Sequence, residues 1–89
     1  MKHQLIIGDK FEGVVLETII VNGSSKRRVR PVENFDPDTR VEFPTKLREE
    51  NPFGTRFKAT VKVSQKTREG EPFGTPYLVA DVNSIEQLT

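Results

Sequence analysis

The clearest hydrophobic pattern along the chain lies in residues 56–64. The apolar residues Phe57, Ala59, Val61 and Val63 alternate there with hydroxyl-bearing and basic residues. Because successive side chains of a strand point to opposite faces, this period of two predicts a half-buried antiparallel strand with a basic outer face.

This strand begins immediately after a phrase that the chain contains twice. Residues 52–55 and 72–75 both read Pro-Phe-Gly-Thr, and an aromatic residue follows each copy after one further position. Pro suits the second position of a type I turn, and Gly suits the fourth. The two copies therefore predict two turns, each of which opens a strand, over residues 56–64 and 76–82.

The first half of the chain predicts a hairpin. Residues 11–21 are apolar on both faces, as in a central or strongly bent strand, and Gly13 would ease such a bend. Asn-Gly at positions 22–23 favours a type I′ turn. The returning strand is predicted over residues 26–33, where Pro31 indicates a sheet edge or a bulge because it cannot donate to a ladder.

Shorter elements complete the pattern. Residues 39–43 alternate, which predicts a strand with Val41 and Phe43 facing inward. Residues 44–51 predict one or two turns of helix that Pro52 must end. The C-terminal segment 83–88 predicts a final short helix.

The order of elements indicates the class of fold. Three strands, a short helix and two strands match an all-β or β-rich α+β chain, specifically a small five-stranded antiparallel barrel with its helix between strands 3 and 4. Both an OB-like and an SH3-like barrel fit, and an open antiparallel α+β sheet is the alternative. At 89 residues, we expect a single domain over residues 1–89.

Composition excludes several kinds of chemistry and location. The chain has no Cys, so a disulfide, a thiolate nucleophile and a cysteine metal site are impossible. Near the N-terminus only residues 5–7 form an apolar run, which is too short for a signal peptide, and no stretch reaches membrane-spanning length. We therefore expect a cytoplasmic protein with no membrane partner.

The candidate catalytic residues all have ordinary structural explanations. His3, the only histidine, lies at a terminus that we expect to be loose and solvated. Asp36 and Asp38 flank a proline in a turn sequence, while Glu49 and Glu50 end the predicted helix. Two neighbouring carboxylates leave a metal ion under-coordinated. We therefore expect a protein that is not an enzyme and has no catalytic residue, metal site or cofactor.

Charge is nearly balanced overall but strongly segregated along the chain. The net charge is +1. Residues 26–30 and 51–70 each carry +4, whereas residues 31–43 and 71–89 each carry −3. Such blocks indicate a surface that interacts with a charged partner.

The basic segments lead to a hypothesis of nucleic-acid binding. In an OB-fold, the loops after the first and fourth strands flank the nucleic-acid groove, and both basic segments adjoin these loops. Arginine and lysine would contact backbone phosphates, while aromatic rings would stack on bases. The candidate nucleic-acid-binding residues are Lys26, Arg27, Arg28, Arg30, Arg56, Lys58, Lys62, Lys66, Arg68, Phe73 and Tyr77.

Two other interpretations remain open from the sequence. Charges that alternate along an exposed strand also occur simply to prevent edge-to-edge pairing of sheets. Alternatively, the domain is a protein-interaction or assembly module that joins a protein partner or a second copy of itself through an edge strand or complementary charged blocks. Phe53 and Phe73 either pack beneath their turns or are offered to a partner.

Overall fold

The computed structural model describes residues 2–20 and 27–88. This part of the chain forms one sheet of six strands with a short helix between the third and fourth, as expected for a β-rich domain. The elements are β1 (Lys10–Ile20), β2 (Arg27–Pro31), β3 (Val41–Glu42), α1 (Thr45–Glu50), β4 (Arg56–Arg68), β5 (Glu71–Ala80), a 3₁₀ turn (Val82–Ser84) and β6 (Glu86–Gln87). The predicted hairpin turn at 22–23 lies outside the described residues.

The strand order is β2-β1-β4-β5-β3, with β6 paired to β4. The pairs β1–β2, β1–β4, β4–β5 and β4–β6 are antiparallel, whereas β3 and β5 are parallel. Within the described residues no ladder joins β2 to β3, so the sheet is open. The prediction of five antiparallel strands closed into a barrel is therefore corrected to six strands, one parallel pair and an open sheet.

The opening between β2 and β3 has a cause in the sequence. Pro31, the last residue of β2, is buried and has no N–H to donate to a neighbouring strand. On the other side, β3 contains only two residues and Pro44 follows shortly after it. Because neither edge can present a continuous row of donors, a ladder between them cannot propagate.

The core lies on one face of β1, β4 and β5. The predicted inward residues of β4, namely Phe57, Ala59, Val61 and Val63, are all buried, which confirms the alternation. Leu16, Leu78, Val29, Val41 and Phe43 also belong to the core cluster, as do Val14, Phe35 and Ala80. Val82 is 65% exposed because the chain leaves β5 at Ala80.

The first copy of Pro-Phe-Gly-Thr forms a turn that is anchored on β1. The Thr55 N–H donates to the Pro52 carbonyl at 3.3 Å, and Gly54 has φ +78° at the third position. The turn is therefore one residue later than predicted, with Gly at the third position, as in a type II turn. The buried Thr18 hydroxyl donates to Pro52 at 2.8 Å and accepts from the Thr55 N–H at 3.1 Å.

The second copy does not form the predicted turn but lies within β5. The pairs Ser64–Tyr77 and Lys66–Phe73 leave only Gln65 opposite three residues of β5, which makes residues 74–76 a bulge. Gly74 has φ +78°, and the Gln65 side-chain amide donates to its carbonyl at 2.6 Å. Strand β5 therefore begins at Glu71 and not at the predicted residue 76.

The chain reverses instead between β4 and β5. Glu69 and Gly70 have φ values of +53° and +81°, the combination that a two-residue type I′ hairpin requires. Local turn chemistry at Glu-Gly therefore prevails over the Pro-containing phrase that follows it. The strand predicted over 56–64 begins at the expected residue but continues to Arg68.

Both ends of the described chain pack against the sheet. The His3 ring stacks on Phe11 with centroids 4.7 Å apart, and the His3 N–H donates to Asn34, so the expectation of a loose terminus is wrong. The helix predicted over 83–88 is also wrong, because β6 pairs with β4 there. No helix in residues 2–20 or 27–88 is long and apolar enough to cross a membrane.

Candidate binding groove

The two basic segments of the sequence meet at one carboxylate. Glu17 lies on the outer face of β1, with Arg30 of β2 opposite it on one side and Arg56 of β4 on the other. Its carboxylate accepts from the Arg30 guanidinium at 3.0 Å and from the Arg56 Nε at 3.2 Å. The predicted basic patch is therefore continuous across β1 at this point, but two of its arginines are already paired with an acid.

The hydrogen bond from Arg30 is the main reason that the pKa of Glu17 is lowered from its ordinary value of 4.5. Partial burial of the carboxyl acts in the opposite direction, and Arg56 adds a further lowering. A depressed folded-state pKa stabilises the fold above the unfolded-state value, and this contribution is lost as the pH falls through the folded-state value. The three side chains thus form a pH-dependent stabilising contact.

Replacement of Glu17 by Gln should therefore destabilise the protein at pH 7 and have much less effect at acidic pH. The wild-type carboxylate is itself protonated as the pH falls through its folded-state pKa, which is lowered from 4.5, and this removes the difference between the two proteins. Because both arginines are substantially exposed, we expect the loss in the free energy of unfolding to lie at the low end of the range measured for ion pairs. Urea unfolding at pH 7 and pH 3 measures the effect.

Glu12→Gln provides the matched control for this experiment. Glu12 is an exposed carboxylate on the same strand, and no basic side chain of residues 2–20 or 27–88 lies within ion-pair distance of it. Its replacement should leave the unfolding free energy unchanged at both pH values. Equal losses for both variants, or a loss for Glu17→Gln that persists unchanged at pH 3, would contradict the assigned contact.

Arg27 is engaged by the end of the helix. Its guanidinium donates to the carbonyls of Glu49, at 2.7 Å, and Asn51, at 2.5 Å, which are at the C-terminal end of α1. The same guanidinium lies 5.4 Å from the centroid of the Phe53 ring. A cation that satisfies the last carbonyls of a helix is a stabilising end cap. Arg27 thus stabilises the contact between α1 and β2.

Lys58 and Lys62 lie on the exposed outer face of β4. In the described part of the chain neither ammonium has a carboxylate within 4.0 Å, although Lys58 is opposite Glu86 of β6 in the sheet register. In the strand order, β1 separates their strand from the edge at β2, and β5 separates it from the edge at β3. Lys26, the remaining candidate of the first basic segment, is not among the described residues.

A first cleft lies where the β5 bulge meets the chain before β3. It has a volume of about 650 Å³ and is called the aromatic cleft below. Its lining includes the rings of Phe73 and Tyr77 and the cations Arg40 and Lys66. Phe73 is 51% exposed, and the Arg68 guanidinium lies 5.4 Å from its ring centroid. Both predicted aromatic site residues therefore line the same cleft.

The β5 bulge forms one wall of this cleft. Residues 73–77 all line it, and this stretch contains Gly74 in its left-handed conformation. The Arg40 carbonyl accepts from the Leu78 N–H at 2.9 Å, which fixes the segment before β3 against β5. This contact holds the Arg40 guanidinium 5.8 Å from the centroid of the Tyr77 ring.

A second cleft of about 530 Å³ occupies the opening between β2 and β3. It is lined by arginines from three elements, Arg28 of β2, Arg40 before β3 and Arg48 of α1, and is called the arginine cleft. Glu42, Val41 and Phe43 complete its lining. Because Arg40 lines both clefts, they adjoin, and together they are called the binding groove.

Two of the four cations that line the groove, Arg40 and Arg48, are absent from the set predicted by sequence. Arg40 belongs to the acidic segment 31–43, and Arg48 belongs to a helix with little amphipathic pattern, so segment charge does not single out either. The alternation of residues 39–43 does place Arg40 outward, and this is the only sequence signal that could have found it. Arg48 required the packing of α1 beside β2.

The acidic candidates are distributed over separate places. Asp36 and Asp38 line the aromatic cleft, whereas Glu49 and Glu50 lie at the end of α1. Among the described residues, no three histidine or carboxylate side chains are grouped so as to hold a metal ion.

The arrangement as a whole is a groove with the exposed Phe73 and the partly buried Tyr77 at one end and arginines at the other. Such a surface can stack on planar groups and pair with anions. Comparison of the chain with models of protein families, with curated proteins and with solved structures finds no match.

Proposed function

We propose that the protein binds single-stranded nucleic acid without catalysis, through the binding groove. The observation that carries the proposal is that Arg40 joins two clefts, one lined by Phe73 and Tyr77 and the other by arginines. Proteins that bind single strands combine aromatic rings, on which bases stack, with cations that follow the phosphates. In the groove these two kinds of side chain adjoin.

The architecture supports this assignment. An OB-fold is a partly open barrel that binds oligonucleotides on the face of its second and third strands and on the loops after strands 1 and 4. We propose that this chain is an open, OB-like variant. The strand order and the helix between β3 and β4 are the basis, and the groove lies at the β2–β3 opening and beside the β4–β5 hairpin.

Electrostatics indicate how the groove would bind. Its lining carries four cations, Arg28, Arg40, Arg48 and Lys66, against three carboxylates, Asp36, Asp38 and Glu42. Since this excess is small, base stacking should contribute more to affinity than long-range attraction, and the affinity should depend on salt less steeply than for a strongly basic domain.

Replacement of Phe73 by Ala should weaken binding of a fluorescein-labelled oligo(dT) or oligo(rU) by about 5- to 150-fold, because stacking on one ring contributes about 1–3 kcal/mol per base. Fluorescence anisotropy at low salt measures the dissociation constant. Phe53→Ala is a closely matched control. Phe53 holds the same position in the first phrase, is 50% exposed against 51% for Phe73, and also has an arginine 5.4 Å from its ring.

Two results would contradict the proposal. Equal losses for Phe53→Ala and Phe73→Ala would mean that binding does not use the groove. No binding of either oligonucleotide by the wild-type protein at low salt would end the nucleic-acid proposal. The unpaired edges of β2 and β3 would then favour the alternative, an assembly module that accepts a strand from a protein partner.

A further inference from the structure

The arginine cleft is lined by three arginines that have no ion-pair partner in the described part of the chain. Neither Arg28, Arg40 nor Arg48 lies within 4.0 Å of a carboxylate in the described part of the chain, although Glu42 lines the same cleft. Like charges repel, so such a convergence is unfavourable unless an anion is present. The cleft therefore carries a local positive charge that suits an anionic ligand.

Arg48 adds a more specific observation. One of its terminal nitrogens donates to the Thr45 hydroxyl at 3.1 Å, which orients the guanidinium from within α1. Its Nε is buried and has no hydrogen-bond acceptor among the described residues. A buried donor without an acceptor is unfavourable, and a small reorientation of the Arg48 side chain would let an oxyanion in the cleft satisfy it. The planar fork of arginine matches the oxygens of phosphate.

The charge of the cleft indicates which oxyanion would fit. Three guanidinium groups and the Glu42 carboxylate sum to +2. A phosphate monoester carries about −1.5 to −2 at pH 7, whereas a backbone phosphodiester carries a single negative charge. The monoester dianion thus neutralises the cleft more completely.

We propose that the arginine cleft is a site for a dianionic phosphate group, held by Arg28, Arg40 and Arg48. Where the proposed function holds, this group is the terminal phosphate of a nucleic-acid strand whose adjacent bases stack in the aromatic cleft. The existence of the site itself does not depend on nucleic-acid binding, since free phosphate has the same chemistry.

Titration of the wild-type protein with inorganic phosphate tests the site directly. The Nε–H resonance of Arg48 in ¹H–¹⁵N spectra should shift in a saturable manner, because its unsatisfied donor gains an acceptor. Arg48→Gln should weaken phosphate binding about tenfold or more, the loss typical of a charge-assisted hydrogen bond. Arg30→Gln is the control and should have no effect on phosphate affinity, since Arg30 is paired with Glu17 outside the cleft. A wild-type titration without a saturable shift would overturn the site.

A second comparison separates this proposal from the proposed function. An oligonucleotide with a 5′- or 3′-phosphate should bind about tenfold more tightly than the same oligonucleotide with hydroxyl ends, and Arg48→Gln should remove the difference. Binding with equal affinity to both forms would overturn the terminal-phosphate assignment and leave the nucleic-acid groove intact. Saturable phosphate binding without oligonucleotide binding would support the site and reject the proposed function.

Discussion

A carboxylate in place of Val61 should abolish cooperative folding at neutral pH. Val61 is fully buried on the inner face of β4, where an ionised Asp would lie in the apolar core without water to solvate it. The penalty for an unpaired buried charge is several kcal/mol, which is comparable to the total stability of about 5–15 kcal/mol for a small domain. Val61→Asp should therefore lack a cooperative urea transition at pH 7.

The pH dependence of this variant distinguishes charge burial from lost packing. Burial raises the folded-state pKa of the introduced Asp, so the destabilisation should be smallest below the ordinary Asp value of about 3.9 and grow as the pH rises. Circular dichroism melts of Val61→Asp should accordingly show more folded protein at acidic pH than at pH 7, relative to the wild type under the same conditions.

Val82→Asp is the control for the same chemical change. Val82 is 65% exposed, so its replacement should alter the unfolding free energy by no more than about 0.5 kcal/mol. A cooperatively folded Val61→Asp protein at pH 7, with stability close to that of Val82→Asp, would contradict the position of the core and the register of β4.

Truncation of Phe57 should have the next largest effect. Its ring is fully buried and lies 5.0 Å from that of Phe43, between β4 and the segment that follows β3. Phe→Ala changes in a core typically cost about 3–5 kcal/mol, through lost burial and the cavity that remains. We expect Phe57→Ala to lower the free energy of unfolding by this amount in urea melts.

Phe53→Ala, only four residues away, should change stability far less. Phe53 is half exposed, and its ring packs beside the Arg27 guanidinium and not in the core. The pair tests the prediction that alternation places Phe57 inward while the turn leaves Phe53 outside. Similar losses for the two variants would contradict it.

The alternation of residues 56–64 correctly predicted which side chains of β4 face inward and which face outward, because period two is a local property of extended backbone. Val41 and Phe43 were placed correctly for the same reason. Helix α1 was also foreseen, since Pro52 sets a hard limit on its end. Each of these features depends on residues within one element.

The two copies of Pro-Phe-Gly-Thr show where local reasoning ends. Both contain a Gly with φ +78°, yet the first is a turn bound to Thr18 and the second is a bulge inside β5. Near-identical local sequences take different roles because their partners differ. The first meets a buried hydroxyl on β1, whereas the second follows a two-residue hairpin that has already started the ladder with β4.

The binding groove likewise depends on contacts between distant parts of the chain. Charge blocks made Arg28 and Lys66 candidates, the repeated phrase made Phe73 one, and all three are exposed and line the groove. Arg40 and Arg48 come from segments whose charge gave no such signal. The sequence by itself determined which residues of β3 and β4 face the core and that β2 would be a poor partner for a further strand, because strand periodicity and proline act locally. Only the tertiary structure decided that three arginines from distant segments line the opening between β2 and β3, because that depends on how the helix and the strand edges pack against one another.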